Sequence, residues 1–262
     1  MAKRVRSEWE QNVRFVLLLA LVTLILRSFV AALFFIPSES MLPRLLIGDY
    51  LLVEKWPYGW SRWSLPFGWP AVPGKLASRL PARGDTVVFR SPEPDSHDVI
   101  KRVIGLPGDT VQMQRGRLIL NGVAVPTLRV GDFALPITPN FTLCPPDHAE
   151  GTAIGPICRF HRFRETLPDG RSYDVLDTGR TDADDTGVFQ VPAGTVFLMG
   201  DNRDNSEDSR FAAGVGGMGY VPLDRIEGRA AVTVFSTDGS AQWLKPWTWV
   251  TAARPDRIGE GF

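Results

Sequence analysis

Two serines, Ser38 and Ser40, stand two residues apart in the stretch IPSESMLPRLLIGDY, Ile36 to Tyr50, where a long apolar run gives way to polar sequence. A hydroxyl becomes a nucleophile only when a base removes its proton, so the chain must supply that base. His97, His148 and His161 lie in polar loops, away from any G-x-S-x-G elbow that would build a Ser-His-Asp triad. Lys101 is the more plausible partner. It sits in VIKRVI, where period-two alternation puts Val99, Lys101 and Val103 on one face and Ile100, Arg102 and Ile104 on the other. A lysine between two valines is a candidate for burial, which favours the neutral amine and makes it a usable base. The same pattern fits an edge strand whose charges deter aggregation. Pattern alone does not separate the two, nor does it rank Ser38 against Ser40.

A third passage, MGDNRDNSEDSRFAAG from Met199 to Gly214, is a dense polar loop. Ordinary turn chemistry explains many of its Asp and Asn residues. A calcium loop does not, because the D-x-[DN]-x-[DN]-G pattern and its closing Glu are missing. The alternating signs of Asp201, Arg203, Asp204, Asp208 and Arg210 predict that these side chains pair with one another.

Elements that position such groups are legible as well. Lys3, Arg4, Arg6 and Arg14 precede an apolar run from Phe15 to Ile36 that only Arg27 and Ser28 interrupt. A helix needs about 20 apolar residues to cross a bilayer, and the upstream cations predict a cytoplasmic N-terminus. The bulky Phe34, Phe35 and Ile36 argue against a cleaved leader, and Arg27 is expected to snorkel to the outer headgroups. Trp56, Trp60, Trp63 and Trp69 lie in a Pro- and Gly-rich passage and Trp243, Trp247 and Trp249 near the end; they form either a membrane-facing surface or a local aromatic core.

Beyond the anchor the chain reads as strands. TVVFR (Thr86 to Arg90) follows the turn Arg83 to Asp85, and Asp98 onward runs into a Pro-Gly turn. Asn121-Gly122 is a strong hairpin signal. GTVFLMG (Gly194 to Gly200) and GRAAVTVF (Gly228 to Phe235) complete a mainly β fold. Residues 127–190 are polar and weakly periodic, and read as an inserted non-catalytic subdomain. The expected plan is a cytoplasmic tail at 1–14, an anchor at 15–36, a catalytic domain at 37–126 and 191–262, and the insertion between its halves. Cys144 and Cys158 lie in that insertion beside His148 and His161; the exported side favours a disulfide over zinc, worth on the order of 3 kcal/mol. Basic and acidic residues balance at 29 each, without the basic bias usual in a nucleic-acid binder.

In combination and order, the anchor followed by PSESM, LLIGDYLLVEKWPYG, RGDTVVF, IKRVIGLPGD and GDNRDNSEDSR closely resemble bacterial type I signal peptidase, a membrane-bound serine protease family. The resemblance implies roles that spacing does not. Ser40, immediately before Met41, matches the nucleophile and Lys101 its general base. Ser38 matches the hydroxyl that joins the Ser40 N–H in the oxyanion hole, and Ser206 the one that orients the lysine. Asp201, Arg203, Asp208 and Arg210 match bracing residues, and Ile36 and Ile100 the linings of pockets that admit small side chains, as in Ala-x-Ala. The implied partners are signal-peptide-bearing preproteins and membrane lipid, met through the anchor and the Trp-rich surface, with no nucleic acid. The implied location is the bacterial inner membrane with a periplasmic catalytic domain. No cofactor or metal is implied. The chain departs from the family at Glu39, where many members have glycine, in having one span where some have two, and in a longer cysteine loop.

Overall fold

A computed structural model describes residues 8–65, 68, 74–92, 97–152, 155–214, 216–242 and 244–262. Lys3, Arg4, Arg6, Trp69 and Trp243 lie outside the described residues.

The apolar run does not form a single helix to Ile36. A helix covers Glu8–Ile25 and widens into a π-helical turn at Leu26–Val30; then Ala31–Phe35 becomes a strand paired antiparallel to Asp49–Glu54. Glu8–Val30 is long and apolar enough to cross a membrane, and almost all of it is exposed. Hydropathy cannot mark where the helix stops, because the strand Ala31–Phe35 is equally apolar. Arg27 lines a cavity between this helix and the β-body, together with Lys55 and Glu227.

The body is mainly β. Its principal sheet has seven antiparallel strands in the order Ala31–Phe35, Asp49–Glu54, Ile226–Ser236, Thr86–Arg90, Asp98–Gly105, Thr195–Met199 and Val221–Pro222. Asp98–Gly105 is therefore not an edge strand. Along its first half, however, only Thr86–Arg90 pairs with it, since the ladder to Thr195–Met199 begins at Arg102. Residues Asp98–Lys101 keep one side without a strand partner among the described residues.

Within residues 127–190, Phe189–Gln190 already pairs with Thr110–Val111, whereas the strands from Thr127 to Asp177 form a sheet of their own. Gly155–Thr166 lies at its centre, flanked by Thr127–Pro136 on one side and by Ala149–Thr152 and Ser172–Asp177 on the other. Cys144 and Cys158 are bridged, with Cα atoms 5.7 Å apart. This sheet docks through Leu167, Tyr173 and Val175 onto Ile104, Phe197 and Met199 of the principal sheet. Each such buried apolar side chain contributes about 1.5–3 kcal/mol, so core packing fixes this sheet to the principal one.

Of the tryptophans, Trp60 packs on the helix end, its Nε1 donating to Phe29 O at 3.0 Å. Trp63 is flanked by the guanidinium groups of Arg62, Arg90 and Arg225. Trp56, Trp247 and Trp249 are exposed.

Candidate active site

Ser40 opens a tight turn. Leu42 N donates to Glu39 O and Leu45 N to Met41 O, while Ile36 and Gly48 close the loop through Gly48 N donating to Ile36 O. Apolar side chains drive this segment inward: Ile36, Met41 and Leu45 join Leu51, Val53, Val88 and Ile100 in one buried cluster. Ile36 and Ile100 thus share a buried apolar cluster with Met41, the residue after the serine. The turn is pinned from the other side by the polar loop, because Asn202 N donates to Ser40 O at 3.1 Å.

The Lys101 Nζ lies 2.5 Å from Ser40 Oγ, and Ser38 Oγ lies 3.3 Å from the same oxygen. Lys101 is 3% exposed. Burial pushes its amine down to about 8, although Asp208 and Asp201 pull it the other way. Burial outweighs those carboxylates, Arg210 opposes them, and each already has a guanidinium partner. Asp208 is gripped by Arg210 Nε at 2.9 Å and Nη2 at 3.0 Å; burial alone would raise its carboxyl, but Arg210 and the Gly200 N–H hold it below its ordinary value. Asp201 receives Arg102 Nε at 2.7 Å and Nη2 at 2.6 Å.

The expected pairing inside the polar loop is therefore corrected. Only Arg210 with Asp208 forms such a pair. Arg203 instead reaches Glu165 of the inserted sheet, at 2.7 Å and 2.5 Å, and Tyr173 OH donates to the same carboxylate at 2.7 Å. Asp204 accepts from Thr178 N and Oγ1. Leu176 N donates to Asp201 O and Arg203 N returns to Leu176 O, so the insertion carries the polar loop on its edge. Arg102, Glu165 and Tyr173 had no signal in the sequence, since each reads as an ordinary strand residue whose partner is distant.

Ser206 is buried, yet its Oγ has no hydrogen-bond partner, and it makes no bond to Lys101. It presses on Gly200 instead. A Cβ on Gly200 would lie 2.2 Å from Ser206 Oγ and 2.5 Å from Ser40 O, so only glycine lets the loop and the serine approach this closely. Gly200→Ala is expected to cost about 1–3 kcal/mol in a thermal melt in detergent. Gly187→Ala, where a Cβ meets nothing within 4 Å, is the control expected to be neutral. Equal melts for the two would contradict the close approach.

Two of the three histidines are engaged elsewhere: His148 Nδ1 with Arg159 O, and His161 Nδ1 with Asp132 and Arg129. A buried hydroxyl, a buried amine of lowered basicity and a second hydroxyl converge here. That arrangement can run base-assisted nucleophilic attack on a carbonyl.

Residues 9–235 match the family described as signal peptidase, peptidase S26. Signal peptidase I of Rickettsia typhi is 34% identical over 90% of this chain and 88% of its own. Signal peptidase I of Rickettsia massiliae is 33% identical, covering 98% of this chain and 92% of its own. A crystal structure of a signal peptidase I from Enterococcus faecalis V583 aligns over 58% of this chain and 97% of its own, at 26% identity and a TM-score of 0.30.

Proposed function

The chain belongs to the signal peptidase family, peptidase S26, serine endopeptidases that cleave signal peptides, and on that premise we propose that Ser40 and Lys101 are its catalytic dyad. In this reading the enzyme is anchored by Glu8–Val30 with a cytoplasmic N-terminus and a periplasmic body, and cuts preproteins after a small residue in an Ala-x-Ala context. The observation that carries it is the 2.5 Å approach of Lys101 Nζ to Ser40 Oγ across a sequence separation of 61 residues.

The chemistry follows from the geometry. Neutral Lys101 takes the Ser40 proton as Oγ attacks the scissile carbonyl, and the Ser38 hydroxyl and the Ser40 N–H donate hydrogen bonds to the developing oxyanion. The lysine ammonium then passes its proton to the leaving amine, freeing the mature protein and leaving an acyl-enzyme on Ser40. Lys101, neutral again, activates the water that hydrolyses this ester. Ser206, buried beside the Ser40 carbonyl and without another partner, is the group proposed to steady the ammonium. Substrate adds as an extended strand beside Asp98–Lys101, whose open side supplies main-chain hydrogen bonds. Ile36 and Ile100, which share an apolar cluster with Met41, are proposed to line the pockets that take small side chains.

The test is cleavage of an Ala-x-Ala preprotein by the full chain in lipid or detergent, with the new N-terminus sequenced across a pH series. Only the free amine is active, so kcat/KM is expected to rise about tenfold per pH unit below the Lys101 pKa of about 8 and to level off above it. At pH 7 about one amine in ten is neutral. A flat profile, or a limb falling as pH rises, would remove Lys101 from the role of base.

A further inference from the structure

Glu39 stands between the two site serines, on the wall of a cleft of about 670 Å³ that begins at Ser38. The lining of this cleft brings Pro37, Ser38 and Glu39 together with Cys144, Thr178 and Asp204, and includes no described residue of Glu8–Val30. A separate cavity, lined by Leu24, Arg27 and Phe34, occupies the anchor side. A signal peptide still held in the bilayer comes from the anchor side. The polypeptide beyond the scissile bond must leave on the other, and a cleft that includes Ser38 and no described residue of the anchor suits it.

The charge of this cleft differs from that of the rest of the site. Asp201, Asp208 and Glu165 each face an arginine. Glu39 and Asp204 do not. Glu39 Oε2 accepts from Asn205 Nδ2 at 2.8 Å, and Asp204 from Thr178 and Thr181, all neutral donors. No Lys, Arg or His is among the described lining residues, so the two carboxylates give the cleft a net negative lining. Asn202, also on the wall and 2% exposed, has an Oδ1 without a hydrogen-bond partner, adding a further unsatisfied acceptor.

We propose that Glu39, assisted by Asp204, is a specificity-determining residue that reads the charge of the first residues of the released polypeptide, favouring basic and disfavouring acidic ones. The inference rests on the peptidase reading above. A field of one sign at the mouth of a cleft rewards opposite charge and penalises like charge, and salt weakens both effects.

Three preproteins with one signal peptide, carrying Lys, Gln or Glu at the two positions after the cleavage point, test it at low ionic strength. For the parent chain, kcat/KM is expected to fall from Lys through Gln to Glu, with the ends on the order of tenfold apart. Glu39→Gln is expected to shrink the Lys-to-Glu ratio below about threefold, and Glu39→Lys to reverse it. Asp204→Asn should also reduce the ratio, which keeps the test decisive where a Glu39 variant folds poorly. A purely structural role for Glu39, tethering Asn205, would lower all three rates alike and leave the ratio unchanged, overturning the proposal. Equal cleavage of the three by the parent would also overturn it while leaving the peptidase reading intact. Cleavage of none would sink both.

Discussion

Lys101→Met is expected to lower kcat/KM for a preprotein by roughly 10⁴-fold or more while leaving the protein at least as resistant to heat as its parent. Methionine fills nearly the same volume and removes the amine that meets Ser40 Oγ, while His148 and His161 are bonded elsewhere. A loss of function of this size usually raises the suspicion of misfolding. Here the electrostatics predict the opposite. Burial of the amine disfavours its charged form, and methionine relieves that cost. The neighbouring carboxylates are not orphaned by the change, because Asp201 keeps Arg102 and Asp208 keeps Arg210. Ser40→Ala should be as inactive, and the double variant no worse than either alone, because the two groups act as a unit. Retention of more than about one per cent of parental activity by folded Lys101→Met would end the dyad mechanism.

Glu165→Ala is expected to be the most damaging substitution outside the dyad. Its carboxylate is 1% exposed and accepts both Arg203 guanidinium bonds and the Tyr173 hydroxyl. Removing it leaves a buried guanidinium without an anion, a change that costs about 3–5 kcal/mol. For a body of this size that corresponds to a drop in Tm of roughly 6–20 °C. Activity should fall with it, because Arg203 belongs to the loop that holds Ser40 O and carries Ser206. A double-mutant cycle separates this account from simple loss of packing. With Arg203→Ala in the same chain there is no stranded charge, so the pair should cost clearly less than the sum of the singles. Additive losses would show that the ion pair is not what joins the insertion to the loop.

Several local features were legible from residue order. Asn121-Gly122 makes its hairpin with φ of 52° and 77°, as that dipeptide predicts. The neighbouring turn at Arg115-Gly116 has nearly the same angles, 51° and 75°, but arginine is an uncommon residue for that position and carried no signal. The division of the apolar run at Val30 was hidden for a different reason. Ala31–Phe35 becomes a strand because Asp49–Glu54 is there to pair with it, and hydropathy contains no information about a partner.

Residue order by itself determined the chemical inventory: two serines after an apolar run, a lysine on an alternating strand, a charged loop bounded by glycine, and cysteines that could bridge. Those follow from composition and period, which are local. Only the tertiary structure decided what each group experiences. It brings Lys101 to Ser40, buries the amine until it loses basicity, and sends Arg203 to Glu165 and Asp201 to Arg102, across separations of 38 and 99 residues. Burial and ion pairing depend on which distant segment covers a side chain, and period two fixes only the face it points from.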